Sequence, residues 1–137
     1  MANDDDARRA SNRALFTSVL ATISAGEFDR LAEFMTDDLV FDLPYGPDFL
    51  PMPIEGLEQW NQMQLMTFKL FSSFHQELDE VHECLDPDEL VAEYHSDAVV
   101  VRNGNAYRNR YIGVVRFRDG KISHWREFHN PQATDVL

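Results

Sequence analysis

Tyr107–Pro131 reads YRNRYIGVVRFRDGKISHWREFHNP. Two runs of alternating β-branched, aromatic and polar residues flank Asp119-Gly120, a pair that closes tight hairpins because both positions tolerate positive φ. Register decides which side chains share a face, since a slip of one residue turns every side chain over. A two-residue turn pairs Arg118 with Lys121 and puts Glu127 with Ile112, Val114 and Arg116. A three-residue loop over Arg118-Asp119-Gly120 pairs Phe117 with Lys121. Glu127 then joins Tyr111, Gly113, Val115, Phe117 and Trp125, opposite Arg110, Ile112, Val114, Arg116, His124 and Arg126. The second register separates apolar from polar better and is the expected one. It sets a single carboxylate, Glu127, on a buried aromatic face.

Upstream of this hairpin the pattern is strand again. His75 to Leu85 and Leu90 to Arg102 are strands separated by Asp86-Pro87-Asp88, and Asn103-Gly104 is a hairpin turn. Further back the period changes. Ala14, Leu15, Val19, Leu20 and Ile23 recur at helical spacing within Ala7 to Ser24, with Gly26 as the C-terminal stop. A short second helix carries Phe28, Leu31, Ala32 and Met35. Leu39 to Leu43 is a strand stopped by Pro44, and Tyr45 to Pro53 is a loop rich in proline and glycine. Ile54 to Phe74 reads as one long helix, apolar nearly all round in its second half and so deeply packed. The order predicts an α+β fold, with helices on one face of an antiparallel sheet.

The 137 residues fit one domain, and 44% hydrophobic with 12% aromatic residues supply a core. Residues 1–6, acidic and polar, are expected to fray, leaving 7–137 as the domain. A net charge of −12 repels phosphate backbones and offers no basic patch, so nucleic acid is not an expected partner. Apolar runs are broken by charge within a few residues, and the N-terminus has no apolar signal region; a cytoplasmic protein is expected. Cys84 is the single cysteine and reads as a space-filling residue.

The element order, together with Ile54-Glu-Gly56, Tyr111-Ile-Gly-Val-Val-Arg-Phe117, Asp119-Gly-Lys-Ile122 and Arg126-Glu-Phe-His-Asn-Pro131, resembles the NTF2-like superfamily and, within it, the SnoaL-like branch. The resemblance runs from about Ala7 onward. It implies a cone-shaped pocket, with a curved antiparallel sheet wrapped around it and three N-terminal helices closing it, in a homodimer. The run at Arg126 is similar to the phenazine-biosynthesis A/B proteins. Their functional glutamate falls on Glu127, but their helix histidine falls on Met63. Ketosteroid isomerases share the fold. Their catalytic base falls on Leu43, their oxyanion tyrosine on Val19 and their donor aspartic acid on Gly113, so that machinery is not expected here. Epoxide hydrolases of the limonene type carry an aspartate at the Glu127 position and an Arg-x-Asp on the neighbouring strand, where this chain has His95-Ser96-Asp97.

Glu127, beside Trp125 and Phe117, is the leading catalytic candidate, because desolvation penalises its charged form and moves its pKa toward neutrality. The bland alternative is a salt bridge to arginine. His95 and Asp97 are further catalytic candidates, since Glu93, His95 and Asp97 alternate on one face. Ala92, Tyr94, Ser96, Ala98 and Val100 form the cleaner buried face, which turns that acid-histidine-acid row to solvent unless a bulge intervenes. Tyr45, Tyr94 and Tyr111 are candidate donors to a ligand oxygen. Trp125, Met63, Leu43 and His129 are candidate pocket walls, with Phe41 and Trp60 behind as core. No HxxxH or HxH pair exists, so no metal is expected. Without a phosphate cradle, nucleophile elbow or dinucleotide fingerprint, no cofactor is expected either. The leading expectation is a small cofactor-free pocket enzyme of isomerase, cyclase, dehydratase or epoxide hydrolase type, acting on an apolar oxygenated metabolite. The alternative is a non-catalytic ligand-binding or dimerisation module.

Overall fold

The computed structural model describes residues 3–137. Helix α1, Asn3–Ser24, turns Phe16, Val19, Leu20 and Ile23 inward, the i, i+3, i+4, i+7 spacing of one helical face. It starts earlier than expected. Asp4, Asp5 and Asp6 occupy the first turn, where the positive end of the helix dipole favours carboxylates, so residues 3–6 of the segment expected to fray are helical. Met1 and Ala2 lie outside the described residues. The helix ends at Gly26, φ 71°, where Gly26 N donates to Ile23 O at 2.9 Å and Glu27 N to Thr22 O at 3.1 Å. Only a left-handed residue closes that pair of bonds without strain.

A short 3-10 turn, Phe28–Glu33, leads into β1, Met35–Asp42. Next come β2, Ile54–Glu55, and α2, Leu57–Phe68. The strands β3, Phe71–Glu83, β4, Glu89–Val100, β5, Ala106–Arg118, and β6, Lys121–His129, complete the sheet, and a second 3-10 turn, Pro131–Val136, closes the described chain. The sheet order is β2-β1-β6-β5-β4-β3. No helix among the described residues is long and apolar enough to cross a membrane.

Three expectations change. The sheet is mixed, because β1 runs parallel to β6 and only the other neighbours are antiparallel. The long helix expected over Ile54–Phe74 is only its middle. Ile54 and Glu55 pair with Phe41 and Val40, while Phe71 and Phe74 pair with Val100 and Ala98. A dense run of Leu, Met and Phe satisfies strand and helix periods alike, and hydrogen-bond partners on neighbouring strands decided its ends. Nor is the second half of the segment expected as that helix deeply packed. Leu57 and Trp60 are buried, but Leu65, Met66 and Leu70 stay exposed.

The last hairpin combines both registers considered for it. Asp119 and Gly120 both have positive φ, 53° and 76°, and Arg118 pairs with Lys121, so the turn is the two-residue form that the expected register excluded. A bulge then follows: Phe117 pairs with Ile122 but Arg116 with His124, leaving Ser123 as the extra residue. The bulge turns the rest of β6 over. Val115 faces Trp125, Gly113 faces Glu127 and Tyr111 faces His129. The face expected for Glu127 is therefore the observed one, reached by a different route.

Candidate active site

A cavity of about 1060 Å³ lies between the concave side of the sheet, α2 and the Leu43–Pro53 loop. Its walls are mainly apolar and include Phe41, Leu43, Trp60, Met63 and Trp125, with Glu127 and His129 among them. This is the composition of a small-molecule site: an apolar bowl with a few polar groups.

Glu127 is held from below. Tyr94 Oη donates to Glu127 Oε2 at 2.7 Å, and Trp125 Nε1 donates to Tyr94 Oη at 3.1 Å. Both aromatic rings are at most 1% exposed. Phe16 of α1 meets them edge-on, at 5.5 Å from Tyr94 and 5.4 Å from Trp125, and Tyr111 stacks on Tyr94 at 5.2 Å. Neither ring can rotate without disturbing a packed neighbour, so the Trp–Tyr–Glu chain is preorganised. Gly113 makes the chain possible. A Cβ there would lie 2.9 Å from both Trp125 Nε1 and Tyr94 Oη. The glycine is needed for the space above it, since its φ is not in the left-handed region.

Glu127 is half-buried and lines the cavity, and burial pushes its pKa up to about 7 against a smaller lowering by the Tyr94 hydrogen bond. Among the described residues it has no arginine or lysine partner, so the salt-bridge alternative fails. His129, two residues on along the same face, is half-buried, and burial lowers its pKa; its Nδ1 has no hydrogen-bond partner. Burial pushes the phenols of Tyr94 and Tyr111 upward, with the Glu127 charge adding to it, so both stay protonated.

The raised carboxyl pKa has a consequence for stability. A group that holds its proton more tightly folded than unfolded stabilises the protein at low pH, and that contribution is lost as pH rises through the folded pKa. Between about pH 4.5 and 7 the stability should fall by at most about 3 kcal/mol on account of Glu127. His129 opposes this, because its lowered pKa removes stability as pH falls below about 6.5. Urea denaturation across this range, compared with Glu127→Gln, isolates the first slope; identical profiles for the two proteins contradict the raised pKa.

Of the residues expected at the site, Glu127, Trp125, Tyr45, Tyr111, His129, Met63 and Leu43 line the cavity. Tyr45 stands at the mouth, largely exposed, against Phe128. Tyr94 is not a wall residue. It lies beneath Glu127 and spends its hydroxyl there, so it positions the carboxylate. His95 and Asp97 are excluded, as β4 keeps regular alternation and turns both to the outer face. There His95 Nδ1 bonds Asp79 at 2.8 Å, and Asp97 accepts from Arg108 Nε at 3.0 Å. On that same outer face Glu80, His82 and Glu93 bring ligand-capable atoms within 4.8 Å of one another, a cross-strand cluster invisible to linear spacing.

Three residues escaped the sequence reading. Gly113 looked like a position that had lost its chemistry, and Trp60 like plain core. Gln76 carried a signal: it replaces an apolar residue in the inward alternation Phe74, Gln76, Leu78, and it is 8% exposed with Oε1 unpartnered.

The sequence pattern of the SnoaL-like domain family matches residues 16–125. The chain belongs to the SnoaL-like family. An uncharacterized PhzA/B-like protein of Pseudomonas aeruginosa is 36% identical over 93 residues, covering 67% of this chain and 64% of that one. Among solved structures, a Bacillus subtilis protein provisionally named an isomerase superposes with a TM-score of 0.83 at 26% identity, covering 94% of this chain and 93% of its own. A phenazine biosynthesis-related protein of Pseudomonas aeruginosa gives 0.80 at 22% identity, covering 98% and 88%. An LEH-like epoxide hydrolase of M. tuberculosis gives 0.72 at 15% identity, covering 90% and 86%, which establishes likeness of fold. This SnoaL-like chain thus shares its scaffold with proteins of several named activities, and its own side chains must decide among them.

Proposed function

We propose that the protein is an enzyme that moves a proton on an apolar, oxygenated small molecule, at a carbon next to a carbonyl group. The observation that carries this is Glu127, a carboxyl group with pKa about 7 that faces an apolar cavity and is held by a buried tyrosine rather than by a cation. A base with a pKa near the working pH is the most effective proton carrier, being free to take the proton and strong enough to hold it. The Glu127 carboxylate removes the proton from carbon, and negative charge develops on the carbonyl oxygen. Trp60 Nε1, buried at the cavity wall without a partner, donates to that oxygen. Glu127, or His129 beside it, returns the proton at the same or a conjugated carbon, giving isomerisation, cyclisation or dehydration according to the substrate. Epoxide opening is disfavoured because the residues aligned with the second half of that machinery, His95 and Asp97, face away from the cavity.

The test is exchange of the α-protons of 2-tetralone, an enolisable bicyclic ketone, in deuterium oxide followed by proton NMR. The protein should accelerate exchange above the buffer rate, with saturation by substrate and a single ionisation near pH 7. A rate no faster than buffer across the pH range removes the reading.

A further inference from the structure

Across β3, β4 and β5 a row of buried polar groups crosses an otherwise apolar sheet face. Gln76 pairs with Ser96, and Ser96 with Asn109. All three are at most 8% exposed. Most of the row is internally satisfied. Ser96 Oγ and Tyr111 Oη share a hydrogen bond of 2.8 Å. Asn109 Nδ2 donates to Tyr107 Oη at 2.8 Å and to Asn130 O at 3.0 Å, while Asn109 Oδ1 accepts from Asn130 N at 3.0 Å. Gln76 is fixed through its backbone, where its N–H donates to Ser24 Oγ at 2.8 Å. Its side chain is the exception: it borders the cavity and its Oε1 has no partner. A buried amide left without a partner is costly, and such groups in native proteins call for an explanation.

We propose that Gln76 is a specificity-determining residue that binds a hydroxyl group of the substrate at a point remote from the carbon on which Glu127 acts. This rests on reading the cavity as a substrate site, and it narrows the substrate class. A hydroxyl both donates and accepts, so it satisfies a carboxamide, which presents both an acceptor and a donor. Gln76 and Glu127 stand on β3 and β6, three strand spacings apart, and their pairing rows are offset by four residues along the strands, so their backbones are roughly 19 Å apart on a flat sheet and less on a curved one. A molecule that reaches both is longer than one ring, and a cavity of about 1060 Å³ has room for it. The substrate is thus an extended apolar compound with a carbonyl at the Glu127–Trp60 end and a hydroxyl at the other. The remote hydroxyl orients the reacting carbon, so the contact contributes selectivity as well as affinity.

The test compares binding of 2-acetyl-6-hydroxynaphthalene, with its carbonyl and hydroxyl at opposite ends, and 2-acetylnaphthalene, followed by quenching of tryptophan emission, which comes from Trp60 and Trp125 alone, both at the cavity. The parent protein should bind the hydroxylated ketone about fivefold to tenfold more tightly. Gln76→Met, close in volume, should erase that preference while leaving 2-acetylnaphthalene affinity within about twofold; Gln76→Leu repeats the test with a different shape, and thermal melts confirm that both variants fold. Equal binding of the two ketones by the parent protein overturns the proposal, and so does a hydroxyl preference that survives in folded Gln76→Met. Glu127→Gln should retain the preference, so failure of the proton-transfer reading and failure of the hydroxyl subsite give different results.

Discussion

Glu127→Gln is expected to slow α-proton exchange of 2-tetralone by about 100-fold or more, the usual contribution of a positioned general base. The substitution is nearly isosteric and keeps an oxygen to accept the 2.7 Å hydrogen bond from Tyr94, so the aromatic support beneath it should stand. What it removes is the ability to hold a proton. It also removes the cost of a buried charge, so above pH 7 the variant should be at least as stable as its parent. Lost exchange in a more stable protein separates chemistry from misfolding. Exchange within twofold of the parent would falsify the assignment of Glu127 as the base.

Gly113→Ala is the second substitution with a large expected effect, and it adds only one methyl group. The new carbon would sit 2.9 Å from Trp125 Nε1 and from Tyr94 Oη, and real Cβ atoms do not approach so closely. Something must shift, and the candidates are two buried rings already gripped by Phe16, Phe41, Tyr111 and Trp60. Overpacking of this kind costs about 1–3 kcal/mol, which for a domain of this size lowers Tm by roughly 5–10 °C. Displacing Tyr94 also takes the hydrogen bond from Glu127, so tetralone exchange should fall in the fraction that remains folded. Calorimetry and the exchange assay check both parts. A melting temperature and an exchange rate matching the parent would show that the ring cluster has slack the packing does not suggest.

The substitutions bear on how far a chain can be read without its fold. The inward face of β4 was legible because Ala92, Tyr94, Ser96, Ala98 and Val100 alternate without interruption, and regular alternation has one physical solution. The β5–β6 hairpin was legible in outcome only. Its turn chemistry and its apolar pattern asked for different registers, and the conflict was itself the sign of a bulge, which Ser123 supplies. The end of α2 was not legible, because Leu, Met and Phe in succession fit either period. Only Val100 and Ala98, about thirty residues away, claim Phe71 and Phe74 for a strand. Tyr94 was rightly placed inside but given the wrong task. Sequence shows that a phenol is buried, whereas its hydrogen bonds depend on which groups the sheet brings within 3 Å.

By itself the sequence determined the α+β class, the resemblance that led to the SnoaL-like family, the inward face of β4 and the presence of one carboxylate on an aromatic strand face. These follow from local periods and turn residues, which act within a few positions of one another. The tertiary structure decided that β1 runs parallel to β6 and that His95 and Asp97 bond outside the cavity. It also put Tyr94 and Trp125 beneath Glu127 over a glycine with no room for a methyl group, and left Gln76 facing the cavity without a partner. Those facts depend on atoms from strands far apart in the chain meeting at distances of about 3 Å, and no local pattern encodes such a meeting.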